Sequence, residues 1–132
     1  DKGIVLYRLV HHLKEGRAMS DLGRHEEAIS LLEKATHLRA GNVEAWANLQ
    51  LALLRANNLE RSISIGKQAL KLKPDHPYVL LHLGLAHARS GDYTSAKILI
   101  EKALDNSPNE SFSHEVLHFP ETRDAGITDD HN

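Results

Sequence analysis

Apolar and small residues recur along this chain with the spacing of amphipathic α-helices. Leu80 and Leu83 are three residues apart, and Ala96, Ile100 and Ala103 occupy positions i, i+4 and i+7. Such spacing places each set on one face of a helix. Leucine, alanine and isoleucine supply most of the apolar content, and these residues suit helices better than sheets. The pattern therefore predicts an all-α chain.

The same pattern returns every 34 residues. Residues 9–42, 43–76 and 77–110 form three consecutive units, called repeats 1, 2 and 3 below. Small residues share two positions of every repeat, namely Ala18, Ala52 and Ala86, and then Ala35, Ala69 and Ala103. A fixed period of this length predicts one supersecondary unit per repeat, whose apolar face is buried only when neighbours stack.

Each repeat contains two predicted helices. The first helices cover residues 9–22, 43–56 and 77–90, and the second cover 25–39, 59–73 and 93–106. Glycine and asparagine tolerate the left-handed conformation that closes a helix, and one of them follows each first helix, at Gly23, Asn57 and Gly91. Proline cannot continue a helix, and Pro74 and Pro108 end repeats 2 and 3.

The unit resembles the tetratricopeptide repeat, whose pattern is W-x2-L-G-x2-Y followed by alanine, an aromatic residue, alanine and proline. The matching residues are Trp46, Leu49, Leu83, Gly84, Gly16, Ala28 and Ala96. The departures are Ser62 at a small-residue position and Leu32 and Ile100 at the aromatic position. The resemblance covers residues 9–110 and implies a right-handed α-solenoid of three helix-turn-helix repeats.

Two residues depart from the repeat in ways that bear on packing. Glu15 occupies the position of Leu49 and Leu83, so repeat 1 is predicted to be an end repeat or one that once met something preceding it. Gly66 occupies a mid-helix position where a large residue is expected. We predict a tight contact or a tolerated hole there, and the alternative is a weak point or a pocket for a partner side chain.

The segments outside the repeats have separate predictions. Residues 1–8 are expected to extend the first helix backwards or to cap it. Residues 111–119 are predicted to form a capping helix over repeat 3, with Ser111 as N-cap and one apolar face made of Phe112, Val116 and Phe119. Pro120 is expected to end that helix, and residues 120–132 are predicted to be a disordered acidic tail.

The resemblance implies that the first helices line a concave groove that binds a peptide or a partner protein. By position, the lining residues would be Leu13, Arg17, Asp21, Glu44, Asn48, Leu51, Arg55, Tyr78, His82, Leu85 and Arg89. Arg55 and Arg89 recur 34 residues apart, and guanidinium groups pair well with carboxylates. We therefore predict an acidic ligand, extended or helical. The alternative is that these arginines are solvated charges.

Two ligand signatures of the family can be compared with this chain. The clamp that holds Hsp70 and Hsp90 tails uses Lys, Asn, Asn, Lys and Arg. Only Asn48 matches it here, because the corresponding residues are Leu13, Arg17, Asn48, Tyr78 and His82. The asparagine ladder of the sugar-transferase relatives would occupy Lys14, Asn48 and His82, and it is also missing. These comparisons favour a general scaffold or adaptor.

Two other functions stay open. The stretch from His114 through Glu115, Val116 and Leu117 to His118 satisfies the H-E-x-x-H template of zinc hydrolases, so His114 and His118 are candidate metal ligands. A hydrolase also needs a third ligand and a substrate cleft, and this stretch lies near the end of the chain. We therefore predict no enzyme, no cofactor and no metal. The other alternative is a structural assembly protein that self-associates through its solenoid ends.

Composition narrows the partners and the setting. The net charge is −2, and no basic stripe with interleaved aromatic residues favours nucleic acid. No apolar run approaches the roughly 18 residues that span a bilayer. The chain has no cysteine, which excludes disulfides and thiolate sites but is compatible with either redox environment. We predict a cytoplasmic location and a protein or peptide partner.

Overall fold

The computed structural model describes residues 1–128, and its regular structure there consists of helices. Eight helices follow one another along the chain: α1 (Lys2–Asp21), α2 (His25–Leu38), α3 (Val43–Arg55), α4 (Leu59–Leu72), α5 (Pro77–Arg89), α6 (Tyr93–Asp105), α7 (Glu110–His118) and α8 (Pro120–Asp124). The prediction of an all-α fold is confirmed. The six helices of the repeats end within one or two residues of the predicted positions, because their turns are encoded locally.

The turn inside each repeat has the same backbone conformation. Gly23, Asn57 and Gly91 have φ values of 79°, 60° and 90°, in the left-handed region that glycine and asparagine tolerate. In each turn, the next residue's N–H donates to a carbonyl five residues earlier in the first helix. In repeat 1, Arg24 N donates to Met19 O at 2.8 Å. These bonds satisfy the carbonyls that a helix end leaves free.

The N-terminal residues belong to the first helix. Asp1 caps α1, because its Oδ1 accepts from Ile4 N at 2.9 Å, and the helix begins at Lys2. The 20-residue helix α1 is therefore longer than α2, which has 14 residues. Its first turns extend past the end of α2, and Ile4, Leu6 and Tyr7 on them are exposed.

Consecutive helices pack against each other throughout the chain, and buried side chains fill the spaces between them. The largest cluster of buried residues joins repeat 3 to the C-terminal helices, with Leu80, Ile100, Phe112 and Val116 among its members. A second cluster lies between repeats 1 and 2 and contains Leu32 and Leu53. The C-terminal helices therefore close one end of the stack.

The C-terminal segment differs from the prediction in two places. Helix α7 begins at Glu110, and its N-cap is Asn109, whose Oδ1 accepts from Phe112 N at 2.8 Å. Ser111, the predicted cap, lies inside the helix. Pro120 begins α8 instead of ending the ordered chain. Proline suits a first helical position, because the N–H it lacks would have no partner there.

The predicted disordered tail is wrong for residues 120–127. Thr122 is fully buried, and its Oγ1 donates to Val116 O at 2.8 Å. Ala125 and Ile127 are also buried in the core of repeat 3. The acidic composition of this segment misled the prediction, because its few apolar residues are the ones that reach the core. Residues 129–132, which carry Asp129 and Asp130, lie outside the described residues.

Candidate functional site

The first helices of the repeats form one continuous wall. Helix α1 contacts α3, and α3 contacts α5, whereas the second helices make no comparable contacts with one another within residues 1–128. A row of helix pairs in which the first helices are closer together is curved, with those helices on the inner side. The wall of α1, α3 and α5 is therefore the concave face, called the groove below.

Two cavities lie on the groove. One has a volume of about 290 Å³ and is lined by Arg17, Glu44, Ala47, Asn48, Leu51, His76, Tyr78 and His82. The other has a volume of about 390 Å³ and is lined by Leu13, Lys14, Arg17, Ala18, Asp21 and Asn48. Arg17 and Asn48 belong to both. Eight of the eleven residues proposed from the sequence line one of these cavities: Leu13, Arg17, Asp21, Glu44, Asn48, Leu51, Tyr78 and His82.

Leu85 does not line the groove. Its side chain is 1% exposed and belongs to the cluster that joins repeat 3 to the C-terminal helices. Helix α8, which lies in the segment that was predicted to be a disordered tail, packs against α5. Including Leu85 in a ligand-contacting set was therefore wrong, because a ligand cannot reach a buried side chain.

Arg55 and Arg89 have partners within the protein. Nη1 of Arg55 donates to Ser20 Oγ at 3.0 Å and to Asp21 Oδ1 at 2.9 Å. Nε of Arg89 donates to Glu121 Oε2 at 2.7 Å, and its Nη1 donates to Leu54 O at 3.3 Å. Arg55 thus joins α3 to α1, and Arg89 joins α5 to both α3 and α8.

Arg17 differs from these two arginines. Its side chain is exposed, and within residues 1–128 it makes no hydrogen bond or ion pair. The Asn48 amide and the Tyr78 hydroxyl, which line the same cavity, also make no hydrogen bonds among the described residues. The Tyr78 ring is held edge-on against Phe112, with 5.0 Å between ring centroids. The cavity therefore contains a guanidinium, an amide and a hydroxyl that are available to a ligand.

His82 lines the same cavity as these polar groups and is half-buried. Its pKa is lowered from 6.5 to about 4, chiefly because burial desolvates the ring. Nearby positive charge lowers the pKa further, and its sources are Arg55, His76, Arg89 and Arg17. His82 is therefore neutral at pH 7 and offers one donor and one acceptor nitrogen.

His76 is a groove residue that the repeat pattern did not predict. It is the N-cap of α5, where its Nδ1 accepts from Val79 N at 3.4 Å. Its Nε2 lies 3.3 Å from Glu44 Oε1, so the ring connects α3 to the start of α5. Its position just before Pro77, a favoured first helical residue, was the available signal for a cap.

The candidate metal ligands are on α7 and line neither groove cavity. His114 and His118 lie one helical turn apart, with ring centroids 4.3 Å apart. Nδ1 of His118 donates to the carbonyl oxygen of His114 at 2.7 Å, so one of the four ring nitrogens is already occupied. Residues 1–128 contain no group of three or more His, Asp or Glu side chains arranged to hold a metal ion.

Comparison with known proteins identifies the family. The tetratricopeptide repeat model matches residues 13–77 and 51–111, and together these matches cover more than half of the chain. The chain belongs to the tetratricopeptide repeat family. Within the described part of the chain, no helix is long and apolar enough to cross a membrane.

Several tetratricopeptide proteins are similar to this chain. The mouse interferon-induced protein with tetratricopeptide repeats 3 is 30% identical over 101 residues, which are 74% of this chain and 25% of the mouse protein. The chain therefore spans about a quarter of that relative. The TPR2B domain of yeast Sti1, in a complex with an Hsp70 peptide, superposes with a TM-score of 0.83 at 15% identity, covering 91% of this chain and 97% of that one.

A second similar structure also contains a peptide. The second tetratricopeptide domain of human RPAP3, in complex with the HSP70 peptide SGPTIEEVD, has a TM-score of 0.79 at 19% identity. The superposition covers 94% of this chain and 99% of that domain. At these identities the superpositions establish a shared fold.

Proposed function

We propose that this chain is a protein-interaction module whose groove binds a peptide segment of a partner protein. The observation that carries the proposal is the pair of cavities that share Arg17 and Asn48 on the concave face. Family membership supports it, as do the peptide complexes of the similar Sti1 and RPAP3 domains. A groove with available polar groups over an apolar floor suits an extended peptide.

The proposed ligand carries an acidic side chain that binds Arg17. Arg55 and Arg89 are paired with Asp21 and Glu121, whereas the guanidinium of Arg17, which lines both cavities, has no hydrogen-bond or ion-pair partner among residues 1–128. A charge-assisted hydrogen bond to a carboxylate is roughly twice as strong as a neutral one. Leu51, on the floor of the same cavity, would contact an apolar residue next to the acidic one.

The acidic group of the proposed ligand is an internal side chain, not a C-terminal carboxylate. The positions of the family's carboxylate clamp hold leucine and tyrosine where lysines are needed, at Leu13 and Tyr78. Leucine cannot donate a hydrogen bond, and tyrosine carries no charge at pH 7. We therefore expect the SGPTIEEVD peptide to bind weakly or not at all.

A displayed library of random linear peptides would test the groove. We expect selection on the wild-type chain to enrich peptides with an internal Asp or Glu beside an apolar residue. Titrating an enriched peptide into ¹⁵N-labelled protein should shift amide signals of α1, α3 and α5. Shifts confined to α2, α4 and α6 would contradict the assignment to the groove.

Charge reversal then tests the role of Arg17. Arg17→Glu should weaken binding of the enriched peptide at least about tenfold, because a like charge replaces the pairing group. Lys67→Glu is the matched control, since Lys67 is exposed on the second helix of repeat 2. Equal affinities of the two variants in calorimetry would remove Arg17 from the site.

The proposed role is non-catalytic. His114 and His118 lie on α7 and line neither groove cavity, and Nδ1 of His118 is already used in a hydrogen bond within that helix. The absence of a third protein ligand within residues 1–128 leaves the H-E-x-x-H stretch without the coordination that zinc hydrolases use. We explain Val116, inside that stretch, by its burial against repeat 3.

A further inference from the structure

One long face of α1 is open, although its counterparts in the other repeats are buried. On α3, the equivalent positions hold Ala45 and Leu49, which are covered by repeat 1. On α1, these positions hold His11 and Glu15, which are both exposed. The face that packs against a preceding repeat elsewhere in this fold therefore has no partner on α1 among residues 1–128.

Six side chains spaced three or four residues apart form a stripe along this face, and together they are called the α1 stripe: Ile4, Tyr7, His11, Glu15, Ala18 and Leu22. Such spacing keeps them on one side of the helix. All six are exposed, and Tyr7 and Leu22 are 72% and 69% exposed. A helix face that meets only water is typically polar, whereas this stripe is apolar toward both ends.

The stripe has the same character when its direction is reversed. Its order is apolar, apolar, histidine, glutamate, apolar, apolar. The central pair interacts along the helix, with 3.1 Å between His11 Nε2 and Glu15 Oε2. If a second copy lies antiparallel with its centre at residue 13, Ile4 meets Leu22 of that copy. His11 meets Glu15 of that copy, and Tyr7 lies beside Ala18.

We propose that two copies of this chain associate through the α1 stripe, antiparallel about a twofold axis near residue 13. The antiparallel arrangement places unlike charges together at the centre and apolar side chains together at both ends. A parallel arrangement would instead place His11 against His11 and Glu15 against Glu15. Stacking head to tail is blocked by α7 and α8, which cover the other end of the solenoid.

The association is expected to be reversible. A contact made by one helix pair buries less than the roughly 1,200 Å² of a standard interface. The weight-average mass of the 132-residue chain should therefore rise from that of a monomer toward that of a dimer between about 10 µM and about 1 mM. Sedimentation equilibrium over this range measures the rise.

Variants of the α1 stripe distinguish association through this surface from nonspecific association of exposed apolar residues. Tyr7→Glu combined with Leu22→Glu should weaken the dimer at least about tenfold, because apolar contacts at both ends of the interface become charged. Ile98→Glu is the matched control, since Ile98 on α6 is also an exposed apolar residue, at 63%. A chain that stays monomeric at about 1 mM would overturn the proposal, and so would equal dimerisation of the wild type, the stripe variant and the control.

Cross-linking tests the direction of the helices. The chain has no cysteine, so Ile4→Cys and Leu22→Cys each introduce a single thiol. The two positions are about 27 Å apart along one helix. In a parallel pair, position 4 of one copy and position 22 of the other would therefore be too far apart for a short bismaleimide to link. Mixing the two variants should give a cross-link between positions 4 and 22. Cross-links only between like positions would overturn the antiparallel arrangement.

A final control separates this surface from the groove. Arg17→Glu lies outside the α1 stripe and should leave the dimer unchanged. Loss of dimerisation in that variant would overturn the assignment to the stripe. Failure of peptide binding, by contrast, would leave the dimer proposal in place, because Ala18 is the one stripe residue that also lines one of the two groove cavities.

Discussion

Repeats 1 and 3 differ from repeat 2 at a close contact between their two helices. In repeat 1, Gly16 on the first helix faces Leu32 on the second, and in repeat 3, Gly84 faces Ile100 in the same way. A Cβ atom placed at Gly16 would lie 2.6 Å from Leu32 Cγ, and one at Gly84 would lie 2.6 Å from Ile100 Cγ1. Both contacts therefore depend on a missing side chain on the first helix.

Repeat 2 has the opposite arrangement. Gln50 occupies the first-helix position and Gly66 the second-helix position, and a Cβ at Gly66 would lie 2.5 Å from Gln50 Nε2. Each pair thus contains one large side chain and one glycine, and either helix can supply the large one. The tight contact expected at Gly66 explains its identity, since the space beside it is filled by Gln50.

Having the large side chain on the first helix of repeat 2 also changes the hydrogen bonding between repeats. Gln50 is fully buried, and its Nε2 donates to the carbonyl oxygen of Val79 in repeat 3 at 3.1 Å. Its Oε1 has no partner within residues 1–128. Repeat 2 therefore gains a directional bond to its neighbour together with one unsatisfied acceptor, which neither outer repeat carries at this position.

Filling the space beside Gly66 should produce the largest change in the free energy of unfolding. Gly66→Leu would push a side chain into Gln50 and into Leu83, whose Cδ1 would lie 3.2 Å from a Cβ added at Gly66. We expect the free energy of unfolding to fall by about 3 kcal/mol, the upper part of the range for overpacking. Urea denaturation measures it, with exposed Lys67→Leu as control for leucine in the same helix. An unchanged midpoint would contradict the tight contact.

Restoring the arrangement of the outer repeats should reverse most of that loss. Gln50→Gly combined with Gly66→Leu recreates in repeat 2 the pairing of glycine with leucine found in repeat 1. Because the two side chains occupy the same space, we expect a coupling free energy of about 2 kcal/mol in a double-mutant cycle. Additive effects of the two substitutions would show that the two positions do not compensate.

Acid should destabilise repeat 3 through His82, which occupies the position of Asn48 in repeat 2. The pKa of His82 is lowered to about 4 when folded, so the unfolded chain binds its proton first as pH falls below about 6.5. The stability that comes with a neutral His82 is therefore fully present above about pH 6.5, and the free energy of unfolding falls as pH drops from there toward about 4. Since the ring is partly exposed, we expect a loss of about 1–2 kcal/mol between about pH 7 and pH 5.

His82→Asn isolates this contribution from that of the other histidines. The variant takes the residue that repeat 2 already has, and its unfolding free energy should fall less steeply between about pH 7 and pH 5 than that of the wild type. Denaturant titrations at several pH values measure both slopes. Parallel slopes would mean that His82 titrates alike in the folded and unfolded chains.

Replacing the amide of Gln50 should produce the smallest change in the free energy of unfolding. Gln50→Met keeps the length of the side chain and removes both the bond to Val79 and the unsatisfied Oε1. A typical hydrogen bond contributes about 1 kcal/mol, and an unsatisfied buried acceptor costs a similar amount. We therefore expect a change within about 1 kcal/mol in urea denaturation. A loss above about 2 kcal/mol would show that the amide holds repeats 2 and 3 together.

Local signals predicted the repeats well. The left-handed residues Gly23, Asn57 and Gly91 end the first helices where they were expected, because a turn of this kind depends on a few adjacent residues. Eight predicted groove residues line the two cavities for a related reason, since a 34-residue period places equivalent residues on equivalent faces. Their role as ligand contacts stays a prediction.

Partners that are distant in the chain were not predictable in the same way. Arg55 and Arg89 share a repeat position, yet Asp21 holds one and Glu121 holds the other. Whether a guanidinium is available depends on which carboxylates the folded chain brings within about 3 Å, and spacing along one helix does not report that. The segment containing Glu121 was itself predicted to be disordered.

The amino-acid sequence alone determined the 34-residue period, the ends of the repeat helices and the all-α fold, because apolar periodicity and turn residues act over one or two helical turns. The tertiary structure decided the rest. It showed that Gly66 makes room for Gln50, that Thr122 and Ile127 reach the core, and that Arg17 is the groove arginine without a partner in residues 1–128. Each of these depends on contacts between different helices, and only packing brings such side chains together.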